Sequence, residues 1–204
     1  MLINIHTHSR TAKENQLEIV IGEDTVGVHP WDVDKIPDFR KARDYCLMVG
    51  ETGLDRSEKY KHTLDVQIRF LRAHLATALH FKIPIVLHCV RAQSDLLHIL
   101  KDMRYNGKVL LHDFAGNAQH LEAYLNFDVY FSFRRNFEIL KIAPIDRIFL
   151  ETDDQTQFSI ADIYHQSEIP EAQLEKNFLC FFSDAQNEGS TDVINYLRIA
   201  LSAH

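Results

Sequence analysis

The chain has 204 residues, 46% hydrophobic and 25% charged, enough apolar content to enclose one sizeable core. A formal net charge of −7 excludes a broad basic groove for nucleic acid. Local capture of a phosphodiester stays open, because bound cations set the field of a site themselves.

Three cysteines, Cys46, Cys89 and Cys180, stand far apart and form no C-x-x-C pair, as in a reduced compartment. The chain enters a strand at Met1-Leu2-Ile3-Asn4-Ile5 without a signal-peptide pattern. No apolar run approaches the roughly 18–20 residues that span a bilayer. With no linker, low-complexity tract or repeat, residues 1–204 are expected to form a single domain, cytoplasmic and away from membranes. No feature of the sequence specifies an oligomeric state.

Residues 2–5 alternate and are β-prone, and they end in His6-Thr7-His8. Side chains two apart on a strand share a face, so both imidazoles can reach one metal; Asn4 lies on that face one layer deeper. Residues 9–24 are polar and irregular, apart from a short apolar piece at Leu17–Ile21. Thr25-Val26-Gly27-Val28-His29 reads as a strand cut off by Pro30, with His29 either a turn residue or a functional one. A helix is expected over 37–46, then the strand Leu47-Met48-Val49 and a glycine turn that delivers Glu51. A carboxylate at the end of an apolar strand is costly unless paired or metal-bound. Asp55 either orients a ligand or is a plain loop aspartate.

Residues 63–81 have helical spacing of Leu64, Ile68, Leu71, Leu75 and Leu79, and His74 and His80 on that helix read as structural. Pro84-Ile85-Val86-Leu87-His88 is nearly all apolar, as in a strand covered on both faces. Arg91, after it, either faces an anionic substrate group or makes a helix-start salt bridge. A helix over 92–104 ends at Asn106-Gly107, and a strand at 108–112 again ends in histidine, His112. A short helix over 118–126 precedes the strand 129–133; Arg134 and Arg135 after it are either solvated or phosphate-facing. A helix over 136–143 stops at Pro144, and the last strand, 147–150, leads into Glu151 and Asp153 on one face. Helices are expected over 159–166, 171–186 and 190–202, with Leu174, Phe178, Phe181 and Phe182 as core.

Strands alternating with helices are the signature of a parallel sheet. The strand ends at 6, 29, 51, 88, 112, 132 and 153 collect ligand-type side chains where barrel enzymes place their chemistry. The expected fold is therefore α/β, a TIM-type β/α barrel with seven strands, incomplete or distorted over 9–24, where too few residues remain for a full βα unit. A doubly wound open sheet is the alternative, but it would spread the strand ends along a line. Glu51 is expected to bridge two metal ions, with the other strand-end residues completing their coordination.

The chain resembles the TatD-type metal-dependent hydrolases, a branch of the amidohydrolase-like barrels that includes TatD-related DNases. The resemblance rests on Asn4-Ile5-His6-Thr7-His8, Gly27-Val28-His29-Pro30-Trp31 and Gly50-Glu51-Thr52-Gly53-Leu54-Asp55. It continues in Leu87-His88-Cys89-Val90-Arg91-Ala92, Leu111-His112-Asp113-Phe114-Ala115-Gly116 and Leu150-Glu151-Thr152-Asp153. It implies a two-metal hydrolase in which His6, His8 and Asp153 hold one ion, His88 and His112 the other, and Glu51 is shared. Asn4 stands where the family commonly has aspartate, Asp113 where it has Cys or Ser, and Arg134-Arg135 near its usual glycine. Asp154-Gln155 replaces a small residue and proline, and the chain is shorter than typical members.

Imidazole and carboxylate ligands suit zinc, manganese, iron or nickel; magnesium, also a candidate, would use fewer histidines. The expected nucleophile is a hydroxide between the two cations. Asp153 would position it or accept its proton, and His29 and Arg91 would contact substrate. The expected activity is a TatD-type phosphodiesterase or deoxyribonuclease acting on a small-molecule or nucleic-acid phosphoester, without a stable nucleic-acid complex. An amide or ester hydrolase on the same scaffold, or a non-catalytic metal-binding protein, are the alternatives.

Overall fold

A computed structural model describes residues 1–11, 13–35, 46–155 and 157–183. Six parallel strands follow one another in a single sheet: β3 (Thr25–Val26), β4 (Met48–Asp55), β5 (Ile85–Val90), β6 (Val109–Leu111), β7 (Val129–Phe133) and β8 (Ile148–Leu150). Two more, β1 (Leu2–Thr7) and β2 (Gln16–Val20), pair in parallel with each other. Among the described residues the helices are α1 (Leu64–Phe81), α2 (Gln93–Asp102), α3 (Ala118–Tyr124), α4 (Phe137–Leu140), α5 (Ile160–Ser167) and α6 (Glu171–Phe181). Most fill the connections between successive strands, as the right-handed βα alternation requires.

The two sheets meet at β1 and β8. Thr7 bridges Asp153, the His8 amide donates to the Asp153 carbonyl at 3.2 Å, and the Asp153 amide donates to the His6 carbonyl at 3.0 Å. Among the described residues no ladder joins β2 to β3, so the barrel is α/β and parallel but not closed.

The strand count corrects the expectation of seven: the Leu17–Ile21 piece belongs to a full strand, β2, with Leu2 opposite Gln16 and Asn4 opposite Glu18. Parallel strands normally need a crossover of a dozen or more residues. Here only residues 8–15 separate the two strands, and buried Glu18 of β2 accepts from the Thr11 amide at 2.7 Å and its hydroxyl at 3.0 Å. The following turn is closed by Asp24, whose carboxylate accepts from the Val20 amide at 2.7 Å. The helices expected over 37–46 and 190–202, Cys46 apart, and the end of the one over 171–186 lie outside the described residues.

Alternation along the strands sorts the core into two layers. Ile85 and Leu87 of β5 pack outward with Leu71 and Leu75 of α1, while Val86 points inward to Leu110, Tyr130 and Phe149. The inner layer is stoppered by Phe178 and Phe181 of α6 together with Phe182. All three are at most 1% exposed, so the C-terminal phenylalanines are core as the sequence spacing suggests. Phe178→Ala is expected to destabilise the protein by about 3–5 kcal/mol, the usual cost of emptying a buried aromatic site. Denaturant unfolding followed by circular dichroism checks this.

Candidate metal centre

The site begins with β4. Sequence reading ends this strand at Val49 and turns the chain at Gly50. The structure instead continues it through Asp55, every residue buried, with an irregular register against β5 between Val49 and Thr52. Two glycines permit this. Gly50 has φ +121°, and a Cβ there would collide with the Val86 carbonyl oxygen and, at 2.8 Å, with Val86 Cγ1. Gly53 has φ +147°, and a Cβ there would strike the His88 backbone. Both positions require a conformation and an approach that only glycine allows. The irregularity lifts Glu51 onto the inner mouth of the barrel.

Six further side chains, from five strand ends, converge on the same point. Glu51 Oε2 lies 3.4 Å from His6 Nε2 and 3.5 Å from His8 Nε2. Asp153 Oδ1 closes this group, 3.5 Å from His6 Nε2 and 3.3 Å from His8 Nε2. Glu51 Oε1 faces a second group: His112 Nε2 at 2.9 Å, His88 Nδ1 at 3.0 Å and His29 Nε2 at 3.1 Å. His88 Nδ1 is in turn 3.2 Å from His112 Nε2 and 3.4 Å from His29 Nε2.

These spacings suit metal ligands. Nitrogen and oxygen donors about 2.0–2.1 Å from a tetrahedral ion sit about 3.3–3.4 Å from one another, the spacing of the first group. His6 Nε2 and Glu51 Oε2 are buried and have no hydrogen-bond partner among the described residues. An orphaned imidazole nitrogen beside an orphaned carboxylate oxygen is costly unless a cation takes both lone pairs. Four overlapping sets of donors could each hold an ion: His6–Glu51–His112, His6–His8–Asp153, His29–Glu51–His88 and His112–Glu151–Asp153. The cluster is thus able to bind divalent metal.

Its electrostatics follow from burial and crowding. Burial alone raises the Glu51 carboxyl, but His112, His29 and His6 overcome it and hold Glu51 well below the usual carboxylate range. His8, half exposed, is pushed up to about 10 by Asp153 and Glu51. Burial lowers His29 below its ordinary value despite the Glu51 contact.

Behind the donors lies a layer of orienting groups. Asp55 is buried and accepts from the Trp31 indole at 2.6 Å and the Ser57 amide at 2.7 Å, and the same Oδ2 is 3.6 Å from His88 Nε2. Glu151, fully buried, accepts from the Asp113 amide at 2.9 Å and from the Ser132 hydroxyl, and faces His112 Nδ1 at 3.4 Å. Asn4 exchanges hydrogen bonds with Thr152, at 2.8 and 3.0 Å, beneath the first donor group. The sequence signalled Glu151 and Ser132 only by their strand-end positions, and it gave Trp31 no role.

Arg91 and Arg134 lie differently with respect to the cluster. Arg91 is exposed, with φ +52°, and is not among the described residues lining the cleft of about 600 Å³ over the cluster. Arg134 is mostly buried and reaches Asp153 Oδ2 at 3.2 Å, Asp113 Oδ2 at 3.0 Å and Asp154 Oδ1 at 3.3 Å.

A family model described as TatD related DNase matches residues 3–172. The chain belongs to the TatD-related DNase family. It is 30% identical over 143 residues to an uncharacterized metal-dependent hydrolase of Buchnera aphidicola subsp. Baizongia pistaciae, covering 62% of this chain and 54% of that protein. It is 32% identical over 149 residues to the 3'-5' ssDNA/RNA exonuclease TatD of Cronobacter turicensis, covering 63% of this chain and 56% of that one. It thus spans about half the length of the curated relatives it matches. Among solved structures, the TatD homolog YJJV from Escherichia coli shares the fold with a TM-score of 0.62 at 19% identity, over 83% of this chain and 77% of that one.

Within the TatD pattern two departures prove to be one. The aspartate at 113 accepts from both arginines, Arg134 at 3.0 Å and Arg135 at 2.7 Å. The acid where the family commonly has Cys or Ser therefore answers the arginines near its usual glycine. A lone Asp113 would add uncompensated negative charge beside Asp153.

His74 supports the site from α1. It is fully buried; its Nε2 accepts from the Val28 amide at 3.0 Å, next to His29, and its Nδ1 donates to the Phe70 carbonyl at 2.7 Å. Burial pushes its imidazolium down to about 4, against the raising effect of the Phe70 carbonyl. The unfolded chain therefore binds a proton that the folded one refuses. The His74 contribution to stability is full above about pH 6.5 and is lost as pH falls toward 4. His74→Gln is expected to remove that dependence. The stability difference between wild type and variant should change by about 3 kcal/mol between pH 7 and pH 4, measured by urea unfolding at each pH.

Proposed function

We propose that this chain is a divalent-metal-dependent phosphodiesterase that hydrolyses nucleic acid, with a two-metal site in a single domain and a cytoplasmic location. One observation carries the reading. The two oxygens of Glu51 face separate donor groups, Oε2 toward His6 and His8, and Oε1 toward His29, His88 and His112. A bridging carboxylate between two cations requires that division. His6, His8 and Asp153 would hold one ion, His88 and His112 the other, and Glu51 would serve both. Two cations held in this way supply Lewis acidity to a phosphoryl group and sharpen the acidity of water.

The remaining steps belong to side chains. Asp153 turns Oδ1 toward His6 and His8 while Arg134 holds Oδ2 at 3.2 Å, so the carboxylate is fixed in orientation as it accepts a proton from attacking water. His29 lines the cleft and donates from Nε2 to a phosphoryl oxygen. The names of relatives, a deoxyribonuclease in Schizosaccharomyces pombe and a 3'-5' ssDNA/RNA exonuclease in Cronobacter turicensis, support nucleic acid as the substrate class. Among the described residues no helix is long and apolar enough to cross a membrane.

The net charge of −7 favours one rival, an amide or ester hydrolase on the same residues. Nucleotide release from single-stranded DNA with added Mg²⁺ or Mn²⁺ is the expected result; turnover of acyl substrates alone would replace the proposal with the rival. Glu51→Ala is expected to lose both bound metal, by elemental analysis, and activity. A variant that keeps its full metal content would refute the bridging role. Asp153→Asn is expected to lower kcat by about 10²–10⁴-fold, the usual contribution of a positioned acid or base.

A further inference from the structure

Trp31 lines the same cleft wall as His29 and Glu51, yet 51% of its surface is exposed. An exposed indole is ordinarily loose, and this one is held from three sides. Its ring stacks on Tyr60 with centroids 4.9 Å apart and planes 9° from parallel. His29 meets it edge-on at 4.5 Å. Its Nε1 donates to Asp55 Oδ2 at 2.6 Å, the oxygen that also lies 3.6 Å from His88 Nε2. One carboxylate oxygen thus sets the distance between the indole and the metal cluster.

The Tyr60 side of the stack is equally fixed. Buried Gln67 of α1 donates to the Tyr60 carbonyl at 3.0 Å and to the Asp55 carbonyl at 3.2 Å, and accepts from the Asp55 amide at 2.7 Å. The Lys59 ammonium lies 4.8 Å from the Tyr60 ring centroid. An aromatic surface pre-organised in this way loses little entropy when a flat ligand joins it.

We propose that Trp31, backed by Tyr60, is a stacking platform for a nucleobase of a single-stranded nucleic acid whose phosphodiester lies at the metal cluster. This rests on the phosphodiesterase reading above. The platform supplies what the charge balance lacks. A chain of net charge −7 cannot draw its affinity from a basic stripe along the backbone. Base–aromatic stacking is independent of charge and tolerant of sequence. Binding is therefore expected to depend on the presence of bases and only weakly on salt.

The chain contains a single tryptophan, so its intrinsic emission reports on Trp31 alone. The test titrates the protein with a short oligodeoxyadenylate in nuclease-resistant phosphorothioate linkage, and with an abasic strand of the same length, linkage and charge. The base-bearing strand is expected to quench the emission to saturation and the abasic strand to bind at least about 5-fold more weakly. Trp31→Ala, read by anisotropy of a labelled strand, is expected to lower affinity for the base-bearing strand by roughly 5- to 150-fold and to leave the abasic strand unaffected. Equal affinity for the two strands, unchanged emission at saturation, or no binding of either strand overturns the platform, and none of these depends on the variant folding. Cleavage is scored separately on ordinary phosphodiester strands. Base-selective quenching without cleavage would retain the platform and reject the phosphodiesterase. Cleavage without base selectivity would do the reverse.

Discussion

The structure depends on one buried carboxylate. Glu51 sits buried in the mouth of the barrel, with five imidazoles within 3.5 Å of its two oxygens. Desolvation opposes its charge, and the surrounding histidines restore it. A cluster of this density is tolerable only if cations or protons balance it. That requirement links the remote strand ends into one unit, since loss of any donor leaves the others uncompensated.

The backbone around Glu51 is built for that burden. Gly50 and Gly53 let β4 run against β5 where any Cβ would collide, so the strand neither ends nor turns but bends to present its acid. Gln67 and Asp55 then fasten the end of that strand to α1 and to His88. On the opposite side, the Thr7–Asp153 bridge joins the two sheets at the first donor group. The contacts that join the sheets at that seam therefore also place His6, His8 and Asp153 beside one another.

The acids and bases that depart from the TatD pattern are electrostatically coupled. Arg134 spans Asp113, Asp153 and Asp154, placing a cation against the outer oxygen of a donor carboxylate. Asn4, in place of an aspartate, keeps its position through two hydrogen bonds to Thr152 without bringing a charge. Charge is thus reduced beneath Asp153 and counterbalanced beside it, within a chain that is acidic overall.

Much of this was legible in the residues alone. The alternation of apolar strands with helical segments, and the recurrence of His, Glu or Asp at the strand ends, defined a parallel barrel with its donors at one mouth, because periodicity and burial are local properties of the chain. The glycines beside Glu51 were visible, but whether they made a turn or a bent strand depended on how closely β5 approaches, which no local pattern encodes. The strand at Gln16–Val20 was obscured because only residues 8–15 separate it from β1, fewer than a parallel crossover ordinarily takes. Where Arg91 and Arg134 turn was left open for a similar reason: an arginine after a strand points to solvent or to the site according to the acids that packing brings beside it, and Asp113, Asp153 and Asp154 reach Arg134 only in the folded chain.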